Sequence, residues 1–483
     1  MKITFIKPNM GLVYGKPYLD RGRMEPLTFA VLKGMTPPEH ECVLYDDRYE
    51  AIPFDDNTDL VAINTEIYTA RRAYEIADQF RARGVQVVLG GYHTTMIPEE
   101  GAEHADSVVI GDAEPVWHRV LFDAERRQLK KYYNGCTGGI GKLKGIFTDW
   151  SIFENKSYLP VRLIQFSRGC PNRCEYCATG NIYNRSHRCR SVGRTVNELR
   201  RDGSKFVFFV DDNIVANKEV ARELFTALIP LKIKWFSQAD LSFAIDPGLM
   251  ELMLESGCSG LVVGFESLDE ESLNLMNKNC NLGLGSYDPL VEKIRKAGLL
   301  IWAAFLLGYG KETPESVLAT CDWALSKKFA FSAFNILMPY PNTPFYQRCK
   351  EEGRLLYDGK WWLHDDYRFG HTGMRPNCCT PEDLADACLE ARMKHSSVFQ
   401  IVRRSMDPKT HMKDLWSFMT YFAYNPLFRD EMIKKHGMML GYRGQERPES
   451  FKVPDLKRKK RKEVVLYENN LSYAQYWKTA RKP

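Results

Sequence analysis

The chain reads as an α/β protein with two parallel sheets in succession: a doubly wound, Rossmann-like domain, then a partial α/β barrel, then a helical C-terminal region. Three observations predict this. Short apolar runs alternate with amphipathic stretches over the first ~120 residues. The same rhythm resumes after residue 160, and beyond Pro344 the pattern turns helical and rich in Met, Trp and Tyr. The expected divisions are 1–125, a linker at 126–160, the barrel at 161–350, and 351–483.

In the first part the candidate strands are Ile3–Ile6, Cys42–Tyr45, Leu60–Ile63, Val85–Leu89 and Ser107–Ile110. Between the third and fourth, Ala73, Ile76, Ala77 and Phe80 recur at helical spacing within Thr69–Arg83. Strand–helix–strand alternation with short links gives an open parallel sheet, which binds ligands outside the carboxyl ends of its strands. At those ends stand Asn64-Thr-Glu-Ile-Tyr68 with Thr65, Gly90-Gly91-Tyr-His93, and Gly111-Asp-Ala-Glu114. Paired glycines after a buried strand permit close backbone approach to a ligand, and equally a tight turn. His93 could approach such a ligand or be a satisfied loop histidine.

Residues 121–160 are polar and mixed, with Gly138, Gly139 and Gly141, and read as irregular. Six further strands follow at Arg162–Ser167, Phe206–Val210, Lys234–Gln238, Gly260–Gly264, Leu299–Leu306 and Ala333–Met338, which suit a partial or complete barrel with its site at the carboxyl ends. Helices are expected at Pro381–Arg392 and Leu415–Tyr424. Trp361, Trp362 and His364 read as core more than pocket.

Just past the first barrel strand lies Ser167-Arg-Gly-Cys170-Pro-Asn-Arg-Cys174-Glu-Tyr-Cys177. A [4Fe–4S] cube normally takes four cysteine thiolates. Three at this spacing can wrap a cube and leave one iron open to a small molecule. Structural zinc is the competing reading, since His187 and Cys189 could complete a tetrahedral set. Cys189 could also close the cluster as a fourth ligand.

Composition sets the limits. The 483 residues include 44% hydrophobic and 12% aromatic side chains, enough for large cores. The charge is 67 − 61 = +6, mild for this length and poor support for a nucleic-acid binder. Thirteen cysteines without the spacing of a small disulfide framework, no visible signal segment and no run of ~20 apolar residues point to a reducing cytoplasm without a membrane span. Lys457-Arg-Lys-Lys-Arg-Lys462 reads as a solvated basic segment.

With its cluster loop atop the first barrel strand, the chain resembles the radical S-adenosylmethionine (SAM) superfamily, through Cys170, Cys174 and Cys177 with Tyr176 just before the last cysteine. The resemblance implies that the open iron chelates SAM and that the reduced cluster splits a carbon–sulfur bond. It implies, further, that Asp211 and Asp212 of Phe209-Val-Asp-Asp-Asn213 meet the SAM amino group. Glu266 and Ser267 of Gly264-Phe-Glu-Ser267 would bind ribose, and Gln238 would face the pocket. Gly308-Tyr-Gly-Lys-Glu312 and Pro339-Tyr-Pro-Asn-Thr-Pro344 close the remaining strand ends.

The doubly wound domain ahead of the barrel is similar to that of the cobalamin-binding-domain group, with Thr65, Gly90 and Gly91 as cofactor-binding candidates. The Asp-x-His-x-x-Gly motif that supplies a histidine to cobalt is absent, as in many members of that group. The implied reaction is cobalamin-dependent methylation of an unactivated centre on a small-molecule substrate, with flavodoxin or ferredoxin as electron donor. Cobalamin-independent dehydration, cyclisation or transfer of the SAM aminocarboxypropyl group is the alternative. A non-catalytic iron–sulfur or zinc protein is the alternative of another class. The vicinal pair Cys378-Cys379 reads as two ordinary loop cysteines.

Overall fold

The computed structural model describes residues 1–135, 138, 143 and 146–442. The first sheet has six strands, all parallel, in the order Glu41–Asp46, Lys2–Lys7, Leu60–Asn64, Gln86–Gly90, Ser107–Ile110, Tyr132–Asn134. The chain therefore reverses direction across the sheet between Lys2–Lys7 and Leu60–Asn64, and a crevice opens where the strand order switches. The helix Ala70–Ala82 buries Ala73, Ile76, Ala77 and Phe80 against the sheet, the stripe its 3.6-residue period requires.

The sixth strand is a correction. Tyr132–Asn134 lies in the stretch expected to be a linker, yet it pairs with Ser107–Ile110. Three residues flanked by Lys130 and Lys131 are too few to display a period of two. Farther along the same stretch, Trp150–Phe153 forms a short helix whose Ile152 and Phe153 seal the sheet's other face. Gly139 and Gly141 lie outside the described residues, as does the basic run Lys457–Lys462.

The second sheet also has six parallel strands, ordered Arg162–Ile164, Phe206–Phe209, Lys234–Ala239, Cys258–Glu266, Leu300–Leu307, Phe331–Ile336. Sequential order with helices between neighbours is the barrel pattern. Among the described strands the first and last do not pair, so the barrel is partial. The first strand is shorter than expected. It breaks after Ile164, and Ser167–Arg168 pairs instead with Arg188–Cys189 to make a two-residue antiparallel ladder beneath the cysteine loop.

Helices Pro381–His395, Val398–Ser405 and Leu415–Lys435 complete the C-terminal part. The first starts at a reciprocal capping box between Thr380 and Asp383, with proline at its first position. One apolar core runs continuously through both sheets, joined where Tyr68 packs on Trp361 at 5.1 Å.

Candidate active site at the sheet ends

Gly169 turns the chain into the cysteine loop with φ +88, and a Cβ there would fall 2.1 Å from the Ser186 carbonyl oxygen. Only glycine fits. The loop then runs to Cys177, the residue that begins the helix Ala178–Ile182, and the Cys177 amide donates to the Cys174 carbonyl at 3.2 Å. All three thiols are partly buried. Burial pushes Cys170 up to about 11 and raises Cys174 and Cys177, and the negative charge each would place on the others adds to this for Cys170 and Cys177. Three crowded thiols that resist ionisation on their own are a donor set completed by a cation, which binds them as thiolates. Among the described residues no three His, Cys, Asp or Glu side chains converge as a single metal ion requires, whereas a four-iron cube spreads its ligands over a larger volume.

The Cys189 backbone pairs with Ser167, and its thiol lies 3.7 Å from His187 Nδ1. Burial raises it to about 12, with Asp211 the ionisable neighbour that adds to the shift. Among the described residues it joins no group of three His, Cys, Asp or Glu side chains of the kind a zinc ion needs.

The acidic pair at the end of the second barrel strand divides its work. Asp211 is wholly buried and accepts from the Phe166 amide at 3.0 Å and from the Ser167 amide and hydroxyl. Burial pushes its carboxyl up to about 7 despite these donors. Its oxygens hold the break in the first strand through these donors. Asp212 is the member at the cysteine loop, accepting from the Gly169 amide at 2.8 Å and the Thr179 hydroxyl at 3.1 Å.

Glu266 has φ +63 and sits at a register shift between the fourth and fifth strands. Its carboxylate folds back over Gly264 onto Lys278 Nζ at 2.8 Å, so a Cβ on Gly264 would lie 2.2 Å from Glu266 Oε1. Burial alone would lower the Lys278 ammonium, but Glu266, Tyr176 and Cys174 around it hold it well above the ordinary lysine value. Ser267 is buried and accepts from the Asp269 amide at 3.1 Å. Gln238 is half-buried on the third strand, opposite Val262.

Sequence reasoning missed Lys278 and Asn281. Asn281 Nδ2 donates to the carbonyls of Gly264 and Phe265 at 3.0 and 3.1 Å and so holds the strand end open. The polar run Met276-Asn-Lys-Asn-Cys-Asn281 behind Glu266 was the available signal.

The first sheet presents its strand ends to the same region. A cavity of ≈ 330 Å³ lies there, walled by Leu27, Phe29, Val88, Val109 and Trp117 and opening past Asn64, Gly90 and Gly91 toward Arg168 and Tyr183. Gly91 has φ +109, and a Cβ on it would meet Asn64 Oδ1 at 2.5 Å. Gly90 faces open space, with Val109 Cβ at 3.8 Å its nearest neighbour. Thr65 is buried beside the glycines and its hydroxyl has no partner. An apolar slot with a glycine floor suits a flat cofactor. A second cavity of ≈ 330 Å³, lined by Lys7, Arg48 and Glu66 among others, occupies the crevice where strand order switches.

His93 takes no part in either cavity. It is fully buried, with Nε2 2.9 Å from Glu100 Oε1, and Trp362 Nε1 donates to the same oxygen at 2.9 Å. Trp361 and Trp362 are core residues, and half-buried His364 packs on Tyr357. Cys378 is exposed, and the Cys379 thiol lies 3.9 Å from the Glu312 carbonyl.

A partial barrel with three uncommitted thiols at the end of its first strand, faced by a doubly wound sheet, defines an iron–sulfur enzyme that handles a bound cofactor between two domains. The chain belongs to the radical SAM superfamily, which residues 164–324 match, in the subgroup with an N-terminal cobalamin-binding-like domain. It is 31% identical over 368 residues to bacteriochlorophyllide d C-12(1)-methyltransferase of Chlorobaculum tepidum, covering 73% of this chain and 79% of that protein. Two solved folds are similar. The methyltransferase TsrM from Kitasatospora setae, with cobalamin and a [4Fe–4S] cluster bound, superimposes with a TM-score of 0.56 at 16% identity over 73% of this chain and 75% of its own. OxsB with aqua-cobalamin and SAM bound gives 0.57 at 14% identity over 89% and 71%.

Proposed function

We propose that the protein is a cobalamin-dependent radical SAM methyltransferase acting on a small molecule. The carrying observation is the placement of the glycine-floored cavity of the first sheet against the cysteine loop, with Arg168 and Tyr183 on its wall. Cys170, Cys174 and Cys177 would hold the cluster, and Thr65, Gly90 and Gly91 the corrinoid. When bound, the cluster supplies the electron that splits SAM and the corrinoid supplies the methyl group.

The chain's own residues do the rest. Asp212 fixes the loop through Gly169 and offers a carboxylate toward an ammonium. Lys278 places a positive charge beside Cys174 and Glu266, suited to a carboxylate. Asn281 and the Gly264 approach keep the fourth strand end clear for the nucleoside. Tyr68 and the Trp361 cluster close the seam between domains, which keeps water from a radical. We assign the electron donor to a flavodoxin or ferredoxin, which implies a reducing cytoplasm. Among the described residues no helix is long and apolar enough to cross a membrane.

The test is anaerobic reconstitution after growth with hydroxocobalamin. About four irons per chain, a retained corrinoid spectrum, and release of both S-adenosylhomocysteine and 5′-deoxyadenosine under reductant are expected. A protein that binds no corrinoid and yields only 5′-methylthioadenosine would be an aminocarboxypropyl transferase instead.

A further inference from the structure

Two C-terminal helices are built inside out. In Val398–Ser405 the buried side carries Ile401, Arg404 and Ser405, while Val398, Phe399 and Val402 face outward, Phe399 at 71% exposure. In Leu415–Lys435 the buried side of the first turns carries Ser417, Thr420 and Tyr421, Trp416 packs edge-on against Phe206, and Leu415, Phe418 and Met419 face outward, Leu415 at 73% and Met419 at 60%. Met406 and Met412, between the helices, are exposed as well. Burying polar groups and exposing Phe, Leu and Met reverses what solvent selects, and so large an exposed apolar surface marks an interaction site.

The helices share one face. Tyr421 donates to the Ile401 carbonyl at 2.8 Å, and both pack with Leu300 and Ala330, at the amino ends of the barrel strands. Their outward sides therefore point away from the active site, which lies at the opposite ends of those strands.

The charge around the face is one-sided. Arg403, Lys409 and Lys413 are exposed within it, and Lys328 Nζ reaches the Met406 carbonyl at 3.2 Å. Of the acids, Glu292 is paired with Arg295 and Lys409, Asp407 is buried against Arg295, and Asp414 caps the second helix through the Ser417 amide. Protruding Phe, Leu and Met among Lys and Arg is the composition of helices that lie in the surface of an anionic bilayer. The run Lys457-Arg-Lys-Lys-Arg-Lys462, later in the sequence, carries charge of the same sign.

We infer that this face seats the enzyme on an anionic membrane surface, as a peripheral contact on the side away from the cluster. The full chain, reconstituted anaerobically, is floated with vesicles of phosphatidylcholine alone and with vesicles containing about 30 mol % phosphatidylglycerol. Binding to the anionic vesicles is expected, falling with added salt. The triple variant Phe399→Glu, Leu415→Glu, Met419→Glu should weaken it about 10-fold or more while iron content and SAM cleavage stay unchanged.

Failure to bind either vesicle overturns the inference. So does a dimer of the parent chain that the triple variant abolishes, since a second copy then covers the face. Binding that survives the triple variant but disappears when Lys457–Lys462 are changed to glutamine also overturns it, by assigning attachment to the basic run alone.

Discussion

Arg168, on the ladder beneath the cysteine loop, lies 2.6 Å from Asp112 at the carboxyl end of the first sheet. The same guanidinium reaches Glu114 at 2.9 Å, and Asp112 also takes Arg188 at 2.8 Å. This knot ties the two sheets together directly under the candidate cluster. Burial alone would lower the Arg168 pKa, but the two carboxylates hold it well above the ordinary arginine range.

Replacing Arg168 by methionine leaves Glu114 without its guanidinium and Asp112 with Arg188 alone. A loss of about 3 kcal/mol is expected from denaturant unfolding, because breaking a buried pair costs more than the pair contributes. Arg168→Lys should recover only part of it, since lysine lacks the fork that spans both acids.

Cys174→Ala should abolish both the visible absorbance of the cluster and SAM cleavage. Cys189→Ala should leave iron at about four per chain. Iron loss in the Cys189 variant would overturn the three-thiol site.

Gly264→Ala places a methyl group on Glu266 Oε1 and near Lys278. The KM for SAM should rise about 10-fold with iron content unchanged, the loss of roughly one good polar contact. An unaltered KM would remove this strand end from the SAM site.

Gly90 has room for a Cβ but opens on the cavity. Gly90→Ala should be tolerated. Gly90→Leu should cut corrinoid retention by about 10-fold or more while stability changes by only ~1 kcal/mol, which the bound-corrinoid spectrum and denaturant unfolding report separately.

For Glu100, burial works to raise the carboxyl, but His93, Trp362 and Lys360 outweigh it and hold it at about 2, against an ordinary 4.5. A depressed acid stabilises fully above its unfolded pKa and loses that contribution as pH falls through its folded one. Parent and Glu100→Gln should thus differ by on the order of 2–3 kcal/mol at pH 7, converging between pH 4.5 and about 2. Denaturant midpoints at several pH values across that range check it.

Much of the architecture was legible because it rests on local chemistry. Alternating strand and helix periods located five of the six strands in the first sheet and all six in the second. The cysteine spacing marked the loop at the end of the first barrel strand, and the glycine pair the floor of the cavity. What escaped was short or depended on partners distant in sequence. Tyr132–Asn134 is a strand only because Ser107–Ile110 is beside it. Asp211 and Asp212 are adjacent and alike in sequence, yet one is consumed by the Phe166 and Ser167 amides and the other meets the loop.

The sequence by itself determined the class of chemistry, since three thiols at that spacing and a glycine-broken strand end act through residues near one another in the chain. Tertiary structure decided which groups serve it. Lys278 becomes a partner of Glu266, the Cys189 thiol is set beside His187, His93 is withdrawn into a structural pair with Glu100, and Phe399 and Leu415 are left facing outward. Each depends on burial and on neighbours from other elements, and those are set only when the two sheets and the helices pack.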